Sequence, residues 1–289
     1  MTEFERGLST EFVDALNEQY VVSDSWWRPL VEDPDLFIGI RNNSLNVYFN
    51  GASLLKLNFS RGKLVGNSHF KFLLRDKPLS PNVKFEDGHF KQEDLAKIAF
   101  SQDLRKDIAA IKKASKPYHK PEAVDVHKII HSNDNVIDTE VVFADDGNRV
   151  DFAAFRNGTD RPQLVFYEAK HFSNPEIFGE HPSVVEQVAR YRDTLSNAGR
   201  IADISSSYIR VAENIVALQG FKRKLKDLSK KVIHSGLDIC PNVRLTITGF
   251  DRAQQKDAKV LFARLRNLIG EKLVLTKGSA KGLVHGISE

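Results

Sequence analysis

The sequence predicts a mixed α/β protein, with a β-rich α+β part at the N-terminus followed by a part in which helices and strands alternate. Three observations carry this. Residues 36–74 form short apolar segments separated by turn dipeptides, the pattern of a β-meander. From residue 116 the pattern becomes helix, three strands, helices, strand, helix and a short last strand, which is the order of a mixed α/β domain. Between the two, Lys116-Pro117 and Lys120-Pro121 interrupt the chain. At 289 residues the chain has the length of about two domains. The division therefore falls into residues 1–115 and 116–289.

The first four strands are LFIGIR, SLNVYFN, SLLKLNF and SHFKFLL, with turns expected at Asn42-Asn43, Asn50-Gly51, Arg61-Gly62 and Gly66-Asn67. They are expected to pack on an N-terminal helix. Residues 91–115 place Leu95, Ile98, Leu104, Ile108 and Ile111 near helical spacing, and the basic C-terminal end suits the helix dipole. Beyond residue 116, helices are expected near 121–132, 183–197, 205–233 and 254–269. Strands are expected at 135–143, 149–155, 163–170, 242–249 and 272–276.

Composition narrows the function classes. No stretch approaches the roughly 18 apolar residues that cross a bilayer, and the start, MTEFERGLSTEF, carries acids where a signal peptide needs a basic, then apolar, run. No membrane association and a cytoplasmic location are expected. The single cysteine, Cys240, cannot form an internal disulfide, an iron–sulfur cluster or a cysteine-rich zinc site. The net charge is only +4, but residues 61–120 hold 14 basic against 7 acidic residues and 201–289 hold 16 against 8. Residues 1–60 and 121–200 are acidic. Positive surfaces around a carboxylate-rich site would suit a polyanion held near metal ions; plain surface solubility is the other reading.

The central strands carry the chemistry. In Leu164-Val165-Phe166-Tyr167-Glu168-Ala169-Lys170, period two puts Glu168 and Lys170 on one face and Val165, Tyr167 and Ala169 on the other. Asp145-Asp146-Gly147-Asn148 joins the two preceding strands, and Asp146-Gly147 suits a two-residue type I′ hairpin. That turn would set Val142 opposite Asp151 and Glu140 opposite Ala153, making Glu140 and Asp151 diagonal neighbours on one face. Carboxylates and a lysine converging at strand ends repel and resist dehydration. A divalent cation would resolve the conflict, and oxygen-only ligands with open positions suit Mg2+ or Mn2+. Exposed hairpin acids and a surface salt bridge are the structural alternative.

Val150-Asp151, followed by Glu168-Ala169-Lys170 at the end of an apolar strand, resembles the Asp…(Asp/Glu)-x-Lys signature of restriction-endonuclease-like nucleases. Gln187-Val188-Ala189-Arg190-Tyr191 is similar to the Gln-x-x-x-Tyr motif of the RecB-like and lambda-exonuclease-like branches of that superfamily. The resemblance covers about residues 116–250 and implies a restriction-endonuclease-like core, a mixed central sheet flanked by helices. It implies Asp151 and Glu168 as metal ligands, the Ala169 carbonyl as a third, Lys170 as the catalytic lysine, and Gln187 and Tyr191 ordering the active site and the bound strand. The superfamily often adds a glutamate from the helix before the hairpin, a place Glu122 would fill, while the register argument ranks Glu140 ahead of it. Val150 stands where the signature has proline.

The expected function is Mg2+-dependent hydrolysis of phosphodiester bonds in DNA, leaving a 5′-phosphate, in genome defence or DNA processing. RNA remains an alternative substrate. A nucleic-acid-binding or interaction protein that keeps the nuclease fold without cutting is the alternative function. Lys222, Arg223, Lys224, Lys226 and Lys230 lie on an amphipathic helix opposite the stripe Phe221, Leu225, Leu228 and Val232, and are candidates for phosphate contacts, as is Tyr191 for the strand. Residues 1–115 would recognise substrate, regulate access, or bind a protein partner or a second copy of the chain. His127 and His131, four apart on a helix without an HExxH context, are expected as a solvated or core-edge pair rather than on a metal. His171 follows the lysine and either touches phosphate or is merely near it. Trp26-Trp27 is expected in the core. Gly278-Ser279-Ala280-Lys281-Gly282 lacks the spacing of a phosphate loop.

Overall fold

The computed structural model describes residues 4–73, 80–91, 102–143 and 149–279. The hairpin turn expected at 145–148, residues 92–101 of the helix expected over 91–115, and residues 280–282 of the Gly278–Gly282 segment lie outside them. Two six-stranded sheets and nine α-helices make up the described residues, a mixed α/β architecture. None of these helices is long and apolar enough to cross a membrane.

The N-terminal part holds helices α1 (Thr10–Val21) and α2 (Arg28–Val31), then strands β1 (Phe37–Arg41), β2 (Ser44–Phe49), β3 (Ala52–Ser60), β4 (Lys63–His69), β5 (Asn82–Glu86) and β6 (His89–Lys91). The strands pair antiparallel in sequence order, as a meander must. Asn50-Gly51, Arg61-Gly62 and Asp87-Gly88 each take positive φ at both positions, the geometry that lets a tight turn follow the strand twist. The fourth strand runs from Lys63 rather than from residue 68. Gly66 sits inside it, where a Cβ would fall 2.0 Å from the Lys56 carbonyl oxygen. That glycine allows a close approach between strands and is not the turn expected there. The pairs β4–β5 and β5–β6, which extend the sheet, had no expected counterpart.

Next come α3 (Leu104–Ser115), capped by the Asp103 side chain accepting from Arg105 N, and α4 (Pro121–Ser132), which opens on a proline. Residue 91 lies in β6, so the helix expected over 91–115 is formed from Leu104 onward among the described residues. The second part continues with β7 (Val136–Val142), β8 (Arg149–Arg156), β9 (Gln163–His171), α5 (Ser183–Thr194), α6 (Ala198–Ala217), α7 (Arg223–Ser235), β10 (Asp238–Ile239), β11 (Arg244–Thr248), α8 (Arg252–Asp257), α9 (Lys259–Ile269) and β12 (Val274–Thr276). The helix expected over 205–233 is two helices. Gly220 between them has φ +85°, and a Cβ there would fall 2.5 Å from Val31 Cγ1.

The second sheet runs β12-β11-β9-β8-β7, with β10 also on β9. β7, β8 and β9 are antiparallel, and β11 and β12 add in parallel. One face of β9, Leu164 and Phe166, joins the main core with residues of α5 and α6; the other, Val165, Tyr167 and Ala169, packs on Val126, Ile129 and Ile130 of α4. Phe152 and Tyr167 stack across the β8–β9 pair at 4.7 Å between ring centroids, a contact of the kind that contributes about 0.5–1.5 kcal/mol beyond burial. The main core runs without a break from Phe4 and Ile38 to Ile247 and Val274, so the two sheets share it across residue 116. Trp26 and Trp27 are buried in it.

Candidate active site at the ends of the central strands

The β8–β9 ladder ends at Phe152↔Tyr167, and the same register sets Asp151 opposite Glu168. Backbone pairing stops there because the Asp151 carboxylate takes over, its Oδ2 accepting from Ala169 N at 2.7 Å. Two residues further along β9, on the same face as Glu168, comes Lys170. Its Nζ lies 2.8 Å from Glu168 Oε1 and 2.5 Å from Glu176 Oε2. Glu168 and Lys170 are 3% and 5% exposed, so this is a buried ionic cluster rather than a surface salt bridge.

Burial and mutual repulsion shape its charge state. Desolvation, then the facing Glu168 carboxylate, pushes the Asp151 pKa well above the usual carboxylate range, despite the Ala169 hydrogen bond. Glu168 is likewise raised by desolvation, with Lys170 opposing. Burial alone would lower Lys170, but Glu168 and Glu176 outweigh it and keep the ammonium charged. Glu168 Oε2 is left without a hydrogen-bond partner of ordinary geometry, although the Tyr191 hydroxyl lies close enough to act on the carboxylate.

The third carboxylate near the pair comes from α4. Glu122, in the first turn of that helix, repels both Asp151 and Glu168 and attracts Lys170. Its Oε2 accepts from Asn174 Nδ2 at 2.8 Å and His171 N at 3.4 Å. Glu140, on β7, lines the same cleft as Glu122 and Asp151. The β7–β8 pairs are Val141↔Val150 and Val142↔Arg149, two residues away from the expected pairing of Val142 with Asp151. The register is the same on both sides of Glu140 and sets it directly opposite Asp151. Glu140 has φ +52° and lies 3.5 Å from the exposed Arg149 guanidinium. Glu140 and Asp151 are therefore opposed across the strands rather than diagonal.

Gln187 Nε2 donates to the Tyr191 hydroxyl at 2.7 Å, and that hydroxyl donates to the Arg149 carbonyl at 2.6 Å. The Gln-x-x-x-Tyr pair thus fixes the start of β8, two residues before Asp151. Tyr191 is 1% exposed, so it orders the strand that carries the carboxylate instead of facing a ligand.

The basic helix lies elsewhere. Lys224 and Lys231 of α7 share a hollow with Asn135, Phe155 and Asn157, at the far end of β8. Asp151 is six residues away along an extended strand, roughly 20 Å at the usual rise. Lys222 and Lys224 face Asp134, Arg223 and Lys230 face Asp227, and Lys226 is half-buried with its pKa lowered by desolvation. The cations beside the carboxylates are Lys120 and Arg149, which line a cleft of about 330 Å³ with Tyr48, Asn50, Glu122 and Asp151. Sequence reasoning missed these two, and also Glu176 and Asn174. The Asn174-Pro175 turn that carries the latter pair back over the site was the available signal.

Three other expectations resolve simply. His127 and His131 sit at the core edge with ring centroids 4.2 Å apart, and His127 Nε2 meets the Asp35 carbonyl at 2.8 Å. His171 turns its Nδ1 to Ser173 Oγ at 2.8 Å. Cys240 is free.

Among the described residues, no three His, Cys, Asp or Glu side chains are grouped as a metal-ion cage. Mg2+ does not need one, because it keeps several waters and binds through one or two carboxylates. Asp151 and Glu168, two hard oxygen donors whose like charges repel and one of whose buried oxygens lacks a hydrogen-bond partner, fit that demand. No known protein family, curated protein or solved structure matches the chain.

Proposed function

We propose that this chain is a metal-dependent deoxyribonuclease built on a restriction-endonuclease-like core. The observation that carries the reading is the trio of Asp151 and the buried Glu168 and Lys170, with the two acids opposed across β8 and β9 and the lysine on the face of Glu168. Its agreement with the Asp…Glu-x-Lys and Gln-x-x-x-Tyr spacing supports the same reading. Asp151 and Glu168 would hold Mg2+ or Mn2+, with Glu122 and the Ala169 carbonyl as further oxygen donors. Bound there, the cation supplies Lewis-acid polarisation of a phosphoryl oxygen.

The chain's own groups do the rest. Lys170, kept protonated by its two glutamates, orients the attacking water by hydrogen bonding and offsets negative charge growing on the phosphoryl group. Water attacks phosphorus in line, the P–O3′ bond breaks, and the products are a 5′-phosphate and a 3′-hydroxyl. Gln187 and Tyr191 hold the Arg149 carbonyl and hence the backbone that aims Asp151.

Cleavage of end-labelled DNA with Mg2+ tests the proposal, run beside Glu168→Ala and Lys170→Ala proteins whose circular dichroism matches wild type. The expected result is cleavage by wild type and loss of it in both variants. Cleavage unchanged in both variants, or none by wild type on linear and circular DNA, contradicts it. One observation favours the second reading, a binding protein that does not cut: Glu176 occupies Lys170 at 2.5 Å. Cleavage restored or raised in Glu176→Gln would make that contact a restraint on an enzyme, not a sign of a dead site.

A further inference from the structure

The cleft that reaches Asp151 is built partly by the N-terminal sheet. Its roof is the Asn50-Gly51 turn between β2 and β3, seated on α4 so closely that a Cβ on Gly51 would fall 2.4 Å from the Ala123 Cβ. Its walls carry the acids Glu122, Glu140 and Asp151, and the exposed residues lining it are Tyr118, Lys120 and Arg149. Tyr118 is 51% exposed, an unusual state for an aromatic ring in a chain that buries both of its tryptophans. The ring is held, not loose. Phe72 meets it edge-on at 6.0 Å between centroids, and Lys71 Nζ lies 4.4 Å over it. Lys120 makes no ion pair among the described residues, and Arg149 has only the 3.5 Å contact to Glu140.

A held, exposed aromatic ring beside two exposed cations, at the mouth of a cleft with half-buried acids below, has the chemistry of a single-strand site. Bases stack on the ring whatever their identity, and the cations follow the backbone phosphates. A volume of about 330 Å³ is that of a small-molecule pocket. That is room of the order of one unstacked nucleotide, less than a base-paired stack needs. We infer that the cleft binds single-stranded DNA, with Tyr118 as the base-stacking platform and Lys120 and Arg149 as phosphate contacts. This inference rests on the nuclease reading for its choice of polymer, and it gives the N-terminal sheet a role as one wall of the substrate channel.

The test is fluorescence anisotropy on the full chain in EDTA, with a short fluorescein-labelled oligothymidylate and a labelled duplex of the same length. The single strand is expected to bind more tightly than the duplex. Tyr118→Ala is expected to weaken single-strand binding roughly 5- to 100-fold, the range of one lost stacking contact, while Tyr118→Phe keeps it. Lys120→Ala and Arg149→Ala should each flatten the slope of log affinity against log salt by about 0.7. Single-strand affinity unchanged in Tyr118→Ala, or a duplex bound as tightly as the strand, overturns the inference. EDTA keeps the two ideas separate. Absence of Mg2+-dependent cleavage sinks the nuclease reading while leaving this binding result standing, and cleavage by wild type with unaltered Tyr118→Ala binding sinks only the platform.

Discussion

Asp138 shows how much one buried carboxylate does here. At 1% exposure it accepts from Tyr208 at 2.8 Å, pairs with Arg6 at 3.3 Å, and forms a further ion pair with Arg41. Those partners come from the N-terminal segment, the first sheet and α6. Asp138→Ala would strand the Arg41 charge, and removing one partner of a buried pair typically destabilises by about 3–5 kcal/mol. A urea melt of the variant should show a loss of that order; a midpoint like wild type would mean the arginines find water instead. Tyr191→Phe is expected to act differently. It loses the hydroxyl bond to Arg149, worth about 1 kcal/mol, and its larger effect should be a lower kcat with KM little changed. A KM rise at constant kcat would instead make Tyr191 a substrate contact. Glu168 and Lys170 were legible at this scale because strand alternation needs no tertiary information. Glu176 was not, since it reaches Lys170 only through the turn after Asn174.

Among elements, α4 carries the main pH-sensitive feature outside the acidic cluster. Burial pushes the His127 pKa down to about 3 and that of His131 to about 4. Asp35 and Asp33 oppose this, while His119, Lys112 and Lys222 add to it, along with the repulsion His131 exerts on His127. The fold therefore prefers neutral imidazoles, and the unfolded chain takes up protons below about pH 6.5. This contribution is intact above that pH and is lost as pH falls toward 4 and then 3, at no more than about 1.4 kcal/mol per pH unit for each ring. The raised carboxylates of the cluster act in the opposite sense, so the comparison that isolates the imidazole is wild type against His127→Gln. The urea midpoint of wild type should fall more between pH 7 and pH 5 than that of the variant, and parallel falls would contradict the assignment. Turn chemistry made Asn50-Gly51 and Arg61-Gly62 readable. The β7–β8 register was not, because it is set where the connecting loop closes: Val142 already pairs with Arg149, two residues from the pairing that a two-residue turn at Asp146-Gly147 would give. The α6–α7 break was missed because an apolar stripe continues past Gly220 and hides it.

For the whole molecule, the shared core decides what the N-terminal half is for. Ile38, Ile40 and Leu45 of the first sheet belong to the same apolar cluster as Ile137 and Ile215 of the second part. The segment before α1 runs along α6, with Leu8 N donating to Asn214 Oδ1 at 2.8 Å and Ser207 Oγ donating to the Phe4 carbonyl at 2.7 Å. A protein of residues 116–289 would expose that face and lose the roof of the cleft. It is expected to elute as aggregate on size exclusion and to lack activity, whereas a monodisperse, fully active fragment would make the N-terminal part an accessory. The order of helices and strands after residue 116 was readable from periodicity. The fusion of the two sheets into one core was not, because it depends on which apolar faces meet, and both sheets offer such faces.

Electron paramagnetic resonance of Mn2+ added to wild type and to a double variant, Asp151→Asn with Glu168→Gln, bears most directly on the central claim. That claim is that two opposed acids at the strand ends hold a hard cation. Both replacements keep the side-chain size and one acceptor oxygen while removing the charge. The account predicts bound Mn2+ in wild type and only the free-ion spectrum in the variant. Equal binding by both proteins, or free Mn2+ alone with wild type, would contradict it.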